Sequence, residues 1–256
     1  MNDDDIALAH RLADAAGAAI RPYFRARFEI ETKDDASPVT AADRAGEAAM
    51  RAILEAERPD DGIFGEEYGR VREAASRTWV LDPIDGTRSF IAGRPLFGTL
   101  IALVEDGTPV LGIIDQPIAG ERWVGARGRP TLFNDARAQT RRCATLELAQ
   151  LATTSPYLFT GEGEQAGFEM LAGKARNTLL GGDCHNYGLL AAGYLDLVVE
   201  TGLKLYDFAA LVPVVEGAGG VMCDWAGHPL TANSDGRVIA AGDARLIDVT
   251  LAIVTG

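Results

Sequence analysis

The chain has 256 residues, 47% hydrophobic and 24% charged, which suits one large or two modest ordered units and excludes a fibrous or low-complexity protein. Lys and Arg number 24 against 37 Asp and Glu, and the net charge of −13 repels nucleic-acid phosphates and anionic membranes. A phosphorylated substrate would then need divalent cations to invert the sign of a carboxylate cluster.

In chain order, an unordered MNDDD start is expected to lead into a first amphipathic helix. Ile6, Ala9, Leu12, Ala16, Ala19 and Ile20 recur there at helical spacing, with Pro22 near the end. A turn at Lys33–Pro38 precedes a second, alanine-rich helix from about Thr40 to Glu57, which stops before Pro59-Asp60-Asp61-Gly62. From Ile63 short apolar runs alternate with turn residues (IFG, WVL, FGTLIALV, VLGIID, RWVGA), and Glu105–Thr108 carries a hairpin signal. After a polar, arginine-rich changeover at Asn134–Thr145, LATT, NTLL, LDLVVE and RVIAAG read as strands. Helices are expected near 165–174, 186–192, 207–217 and 243–254. The pattern predicts an α+β, layered fold of two lobes: 1–137, with two helices and then an antiparallel sheet, and 138–256, an α/β lobe. A site in the cleft between them is the natural expectation.

Cys143, Cys184 and Cys223 are odd in number and widely spaced, which predicts reduced thiols in a cytoplasmic protein. The acidic start does not resemble a signal peptide, and no apolar run reaches membrane-span length.

Four acidic clusters stand out: Asp43 in SPVTAAD, Glu66 and Glu67 in GEEYG, Asp82 and Asp85 in DPIDGT, and Asp207 in LYDFAAL. Several fall at strand ends or helix starts, where rigid elements hand side chains to a cleft. Hard cations such as Mg2+ take oxygen ligands and share carboxylates with substrate phosphate. Pro83 restricts the chain and Gly86 permits a sharp turn, so Asp82 and Asp85 can converge, with the Gly86-Thr87 amides opening a short helix toward a phosphate oxygen. The simpler alternative makes Asp82 a turn cap and Asp85 a helix cap. The aspartyl-phosphate mechanism is rejected: the D-x-D-G-T pattern needs an aspartate where Pro83 stands. No Walker, H-E-x-x-H or G-x-S-x-G motif is present. Cys184-His185 is adjacent in sequence only and reads as structural.

Taken together, GEE (65–67), WVLDPIDGT (79–87) and YDFAALVPVVEGAGG (206–220) resemble the inositol monophosphatase superfamily of Mg2+-dependent phosphatases. The resemblance runs from the first helix to the last and implies a layered α-β-α-β-α fold. It implies Glu66, Asp82, Asp85 and Asp207 as side-chain metal ligands, with the Ile84 carbonyl as another, for two or three Mg2+ ions per site or Mn2+ in their place. Asp43 and Thr87 would orient and deprotonate the attacking water, with Glu66 in the catalytic set through its metal. Glu67 would be a neighbour of the site or a support for the loop.

Two stretches are similar to the histidinol-phosphate phosphatase branch: DGTRSF, where inositol phosphatases tend to have a small polar residue and Asn in place of Arg88-Ser89, and GGDCHNYGLLAAGYLDLVVE (181–200). There Asp183 replaces a small neutral residue, and Glu200 would face the leaving group. Gly86, Thr87, Arg88, Asp183, Glu200 and Asp207 are the expected substrate contacts. Histidinol phosphate carries an ammonium and an imidazole, which an added carboxylate attracts, whereas a neutral polyol gains nothing from it. The other role for Asp183 is to cap the helix near Asn186. The expectation is a phosphomonoesterase for L-histidinol phosphate, with no nucleic-acid or membrane partner and, by family analogy, a homodimer. The alternatives are an inositol-1-monophosphatase or broad-specificity phosphatase, a 3′-phosphoadenosine 5′-phosphate phosphatase, and a non-catalytic metal-binding module.

Overall fold

The structure, a computed structural model, describes residues 2–26, 30–32 and 38–256. In chain order it contains α1 (Asp3–Ile20), β1 (Ile30–Thr32), β2 (Pro38–Thr40), α2 (Ala41–Glu57), β3 (Gly62–Gly65), β4 (Gly69–Val71), β5 (Arg77–Asp85) and α3 (Thr87–Ile91). There follow β6 (Gly98–Glu105), β7 (Thr108–Gln116), β8 (Glu121–Ala126), β9 (Leu132–Phe133), β10 (Ala136–Arg137), β11 (Gln150–Thr153) and α4 (Glu164–Lys174). The chain closes with β12 (Asn177–Leu180), α5 (His185–Ala191), β13 (Leu197–Glu200), α6 (Leu205–Phe208), α7 (Leu211–Gly217), β14 (Val221–Cys223), β15 (Val238–Ala241) and α8 (Arg245–Val254).

Two larger sheets organise the molecule. One has eight strands in the order β10-β9-β8-β7-β6-β5-β3-β4, and the other five in the order β12-β11-β13-β15-β14. Helices α1 and α2 cover one face of the larger sheet, α5 to α7 lie between the sheets, and α4 and α8 cover the outer face of the smaller one. The result is the layered α-β-α-β-α arrangement. Alternation along the strands explains it. In β6, Leu100, Ala102 and Val104 enter the core between the sheets, while Ile101 and Leu103 enter the core under α1 and α2. In β15, Val238 and Ala240 face the inner core and Ile239 and Ala241 the outer one. Strands covered on both faces need apolar side chains at every position, so the runs read as continuous. The β6–β7 hairpin turns through Asp106 and Gly107, both at positive φ as a two-residue type I′ turn requires.

Several expectations are corrected. Asn2 to Asp5 of the MNDDD start are ordered: the Asn2 Oδ1 accepts from the Asp4 N–H at 3.2 Å, and Asp3, Asp4 and Asp5 form the first turn of α1, where carboxylates suit the helix dipole. The larger sheet is not wholly antiparallel, because β3 runs parallel to β5 while β4 folds back along the edge. The helix expected over 207–217 breaks into α6 and α7. Pro213 has no N–H for the carbonyl four residues back, at Ala209, so a new helix starts there with proline in its first turn. Strand β14, which pairs with β15, had no expectation. Residues 33–37 of the expected turn lie outside the described residues. The three cysteines are free and buried. Among the described residues no helix is long and apolar enough to cross a membrane.

Candidate active site

Strand β5 makes the site possible. Residues three apart in a regular strand point to opposite faces, which would separate Asp82 from Asp85. The pairing with β6 instead slips between Asp82 and Asp85, at a bulge carrying Pro83, which has no N–H to offer the ladder. The Thr99 hydroxyl donates to the Pro83 carbonyl at 2.7 Å and fixes the irregular backbone. Both carboxylates now face one point, and α6 brings Asp207 to it. Ligand oxygens of Asp82, Asp85 and Asp207 all lie within 4.8 Å of one another. Asp207 sits in the first turn of α6, where its Oδ2 accepts from the Lys204 N–H at 2.6 Å.

Burial pushes the Asp82 carboxyl well above its ordinary range, and Glu66, Asp85, Asp207 and Asp43 push it further. Asp85 is raised well too, by burial and then by Asp183 and Asp207, against a 2.6 Å hydrogen bond from the Cys184 N–H. Burial takes Asp207 up to about 7, and the Lys204 amide only partly offsets it. Among the described residues no arginine or lysine is a leading influence on Asp82 or Asp85, and Asp82 Oδ1 is buried there without a hydrogen-bond partner. An all-oxygen donor set of mutually repelling carboxylates fits a hard divalent cation. The cluster could therefore hold a divalent metal.

The other residues singled out in the sequence fall into two groups. Glu66, Asp85, Gly86, Thr87, Arg88, Asp183, Glu200 and Asp207 all line one cavity of about 370 Å³. Asp43, Asp82 and Ile84 are buried and do not line it. Asp43 lies in the first turn of α2, close enough to add to the field on Asp82. Gly86, at φ +83, precedes α3, and the Thr87 hydroxyl donates to the Ile84 carbonyl at 3.1 Å. Arg88 is exposed at the rim and lowers the Asp183 carboxyl electrostatically. Glu67 Oε2 lies 4.0 Å from Arg44 Nε.

Asp183 is not a helix cap. Its side chain crosses to α3 and accepts from the Ser89 hydroxyl at 2.8 Å. Glu200 is held by the Thr154 N–H at 2.7 Å and the Tyr187 hydroxyl at 2.9 Å. These two donors offset the burial that raises the Glu200 carboxyl. The Cys184-His185 pair forms no dyad, since His185 Nε2 meets Glu121 Oε2 at 2.8 Å.

Tyr187, Thr154 and Glu47 escaped the sequence reading, and so did the contacts that Ser89 and the Cys184 amide make with Asp183 and Asp85. Glu47 is wholly buried in α2, four residues after Asp43, and accepts from the Glu67 N–H at 2.7 Å, the Tyr68 N–H at 3.2 Å and Arg51 Nε at 2.7 Å. It therefore fixes the loop that carries Glu66. A glutamate at helical spacing from Asp43 in an alanine-rich helix was the available signal.

Known proteins carry the same architecture. The inositol monophosphatase family model matches residues 1–255. The chain is 52% identical over 247 residues to the bifunctional phosphatase IMPL2, chloroplastic, of Arabidopsis thaliana, covering 93% of this chain and 71% of that protein. It is 38% identical over 236 residues to a histidinol-phosphatase of Mycobacterium tuberculosis, covering 86% of this chain and 87% of that one. A solved structure of an inositol monophosphatase from Zymomonas mobilis is 62% identical and superposes with a TM-score of 0.92, over 99% of this chain and 98% of that one. A cleft floored with carboxylates that call for a cation, in a chain matched almost end to end, leads to one conclusion: this protein is a phosphatase of the inositol monophosphatase family.

Proposed function

We propose that the protein is a Mg2+-dependent phosphomonoesterase that hydrolyses L-histidinol phosphate to L-histidinol and phosphate. The observation that carries this reading is Asp183, a largely enclosed carboxylate on the wall of the same cavity as Asp85 and Asp207. Serine and two nearby arginines counter the burial that raises it. With Glu200 it gives the leaving-group side of the cavity two acids. An amino alcohol bearing an imidazole gains from them and a neutral polyol does not. The histidinol-phosphatase of Mycobacterium tuberculosis agrees with this substrate class.

In this reading Glu66, Asp82, Asp85 and Asp207, with the Ile84 carbonyl, hold Mg2+ in the manner the family uses divalent ions. Bound Mg2+ supplies charge neutralisation at the phosphoryl and leaving oxygens and makes a water molecule acidic. The chain's own groups do the rest. Thr87 spends its hydroxyl proton on the Ile84 carbonyl, so its oxygen faces the cleft as an acceptor and orients the attacking water. Asp43, enclosed at the start of α2, takes the proton. The amides opening α3 at Gly86-Thr87 receive a phosphate oxygen. Asp183 and Glu200 position the alcohol that leaves.

A second reading, inositol 1-phosphate as substrate, is favoured by the inositol monophosphatase structure. Phosphate release from histidinol phosphate, inositol 1-phosphate and 3′-phosphoadenosine 5′-phosphate, with Mg2+ and with chelator, separates the readings. The expected result is metal-dependent turnover with histidinol phosphate fastest. Equal rates on the first two esters would remove the specificity claim, and no metal-dependent turnover on any would point to a binding module.

A further inference from the structure

Ser89 and Asp183 are 94 positions apart, on α3 and on the turn before α5, and the hydroxyl of the first donates to Oδ2 of the second at 2.8 Å. Ser89 is nearly enclosed, at 9% exposure. Asp183 has φ +45, an uncommon conformation for a residue with a side chain, and it swings the carboxylate back onto the first turn of α3. The seat there is tight: a Cβ at Gly86 would lie 2.6 Å from Asp183 Oδ2. Among the described residues no protein donor reaches Asp183 Oδ1, while Asp183 itself lines the cavity.

We propose that Ser89 is the positioning residue that makes this cleft selective for cationic phosphate esters, by holding Asp183 Oδ2 so that Oδ1 faces the leaving alcohol. The inference rests on the reading above, that Asp183 meets a cationic leaving group. An unanchored aspartate would spend binding energy on settling into one orientation, whereas a serine hydroxyl sets that orientation before substrate arrives. Ser89 touches neither substrate nor metal in this scheme; it acts through Asp183. The selectivity is thus shared between the two halves of the chain, with the acid supplied by the segment before α5 and its seat by α3.

The test is a double-mutant cycle on the Mg2+-loaded enzyme. The ratio of kcat/KM for histidinol phosphate to that for inositol 1-phosphate is measured for the wild type, Ser89→Ala, Ser89→Thr, Asp183→Asn and the Ser89→Ala/Asp183→Asn double variant. Calorimetric titration with L-histidinol gives a readout independent of turnover. Ser89→Ala is expected to lower the ratio about tenfold, chiefly through KM for histidinol phosphate, and to weaken L-histidinol binding to a similar degree. Ser89→Thr keeps the hydroxyl and should restore both. The double variant should be no worse than Asp183→Asn alone, because a residue acting through Asp183 has nothing left to act on. Independent, multiplying losses, or a Ser89→Ala ratio equal to the wild type, would overturn the inference and leave the substrate reading standing. A wild type with no preference for histidinol phosphate would instead overturn the substrate reading, and the inference with it. If Ser89→Ala folds poorly, Ser89→Cys, with a weak donor of similar size, carries the same expectation.

Discussion

Asp82 and Glu200 are both buried carboxylates at one cleft, and different partners surround them. Glu200, on the wall, is bracketed by two protein donors, the Thr154 amide and the Tyr187 hydroxyl. Asp82, on the floor, is surrounded by Glu66, Asp85, Asp207 and Asp43, all of which raise its pKa. An acid whose lone pairs meet protein N–H and O–H groups is already satisfied when the chain folds. An acid facing other acids is satisfied only by protons or by a cation. In the proposed reading the contrast separates an acid that holds metal from one that meets substrate, although both are buried carboxylates.

The strongest way to break the comparison is Asp82→Asn. The amide keeps the shape and removes the charge, and phosphate release should fall at least about a thousandfold. In chelator the same variant should melt at a higher temperature than the wild type, because a repelled, buried charge has gone. A lower melting temperature would mean that Asp82 is held by the protein after all.

Glu47→Gln tests whether the floor depends on the loop beneath it. Mg2+ affinity, read by calorimetry, should fall about ten- to a hundredfold, in the range seen when groups supporting metal ligands are removed. Urea unfolding should show a loss of about 1–3 kcal/mol, since Arg51 and the Glu67 and Tyr68 amides lose a charged acceptor.

The pH dependence follows from Asp207, whose carboxyl rises to about 7 in the metal-free fold from an ordinary value of 3.8. A raised folded-state pKa gives stability that is complete below the unfolded value and is lost as pH climbs through the folded one. The metal-free protein should therefore lose stability between about pH 4 and pH 7 through this group. The gain in Tm on adding Mg2+ should be larger at pH 8 than at pH 5.5, where protons compete for the same oxygens. Thermal melts at the two pH values check it, and a larger gain at the lower pH would contradict it.

The smallest effect belongs to the wall. Tyr187→Phe removes one of the two donors to Glu200 and should raise KM for histidinol phosphate about fivefold, measured by initial rates. A loss as deep as that of Asp82→Asn would show that floor and wall are not distinct.

Much of this was legible before any coordinates. Continuous apolar runs such as FGTLIALV mark strands covered on both faces, and the 3.6-residue period marks α1 and α2. The acidic motifs marked Glu66, Asp82, Asp85 and Asp207 as candidates, and the family resemblance joined them as a set. Local chemistry was enough for the elements themselves, because strand burial and helix period act over a few residues.

Partnership was decided elsewhere. The chain alone says that Asp82 and Asp85 stand three apart, and only the slipped pairing with β6 turns both to one side. It offers Glu47 as one more helix-surface acid, and only the docking of α2 beneath the loop after β3 buries it under two amides. It offers Ser89 and Asp183 as separate departures, and Asp183 first as a cap. Their contact, like that of Asp85 with the Cys184 amide 99 positions away, exists because α5 and the turn before it are pressed between two sheets. Sequence determined which residues could do chemistry, since that is a matter of functional groups and local backbone. Tertiary structure decided which acids face protein donors and which face each other, because solvent exclusion and hydrogen-bond supply at a buried site are set by distant segments meeting there.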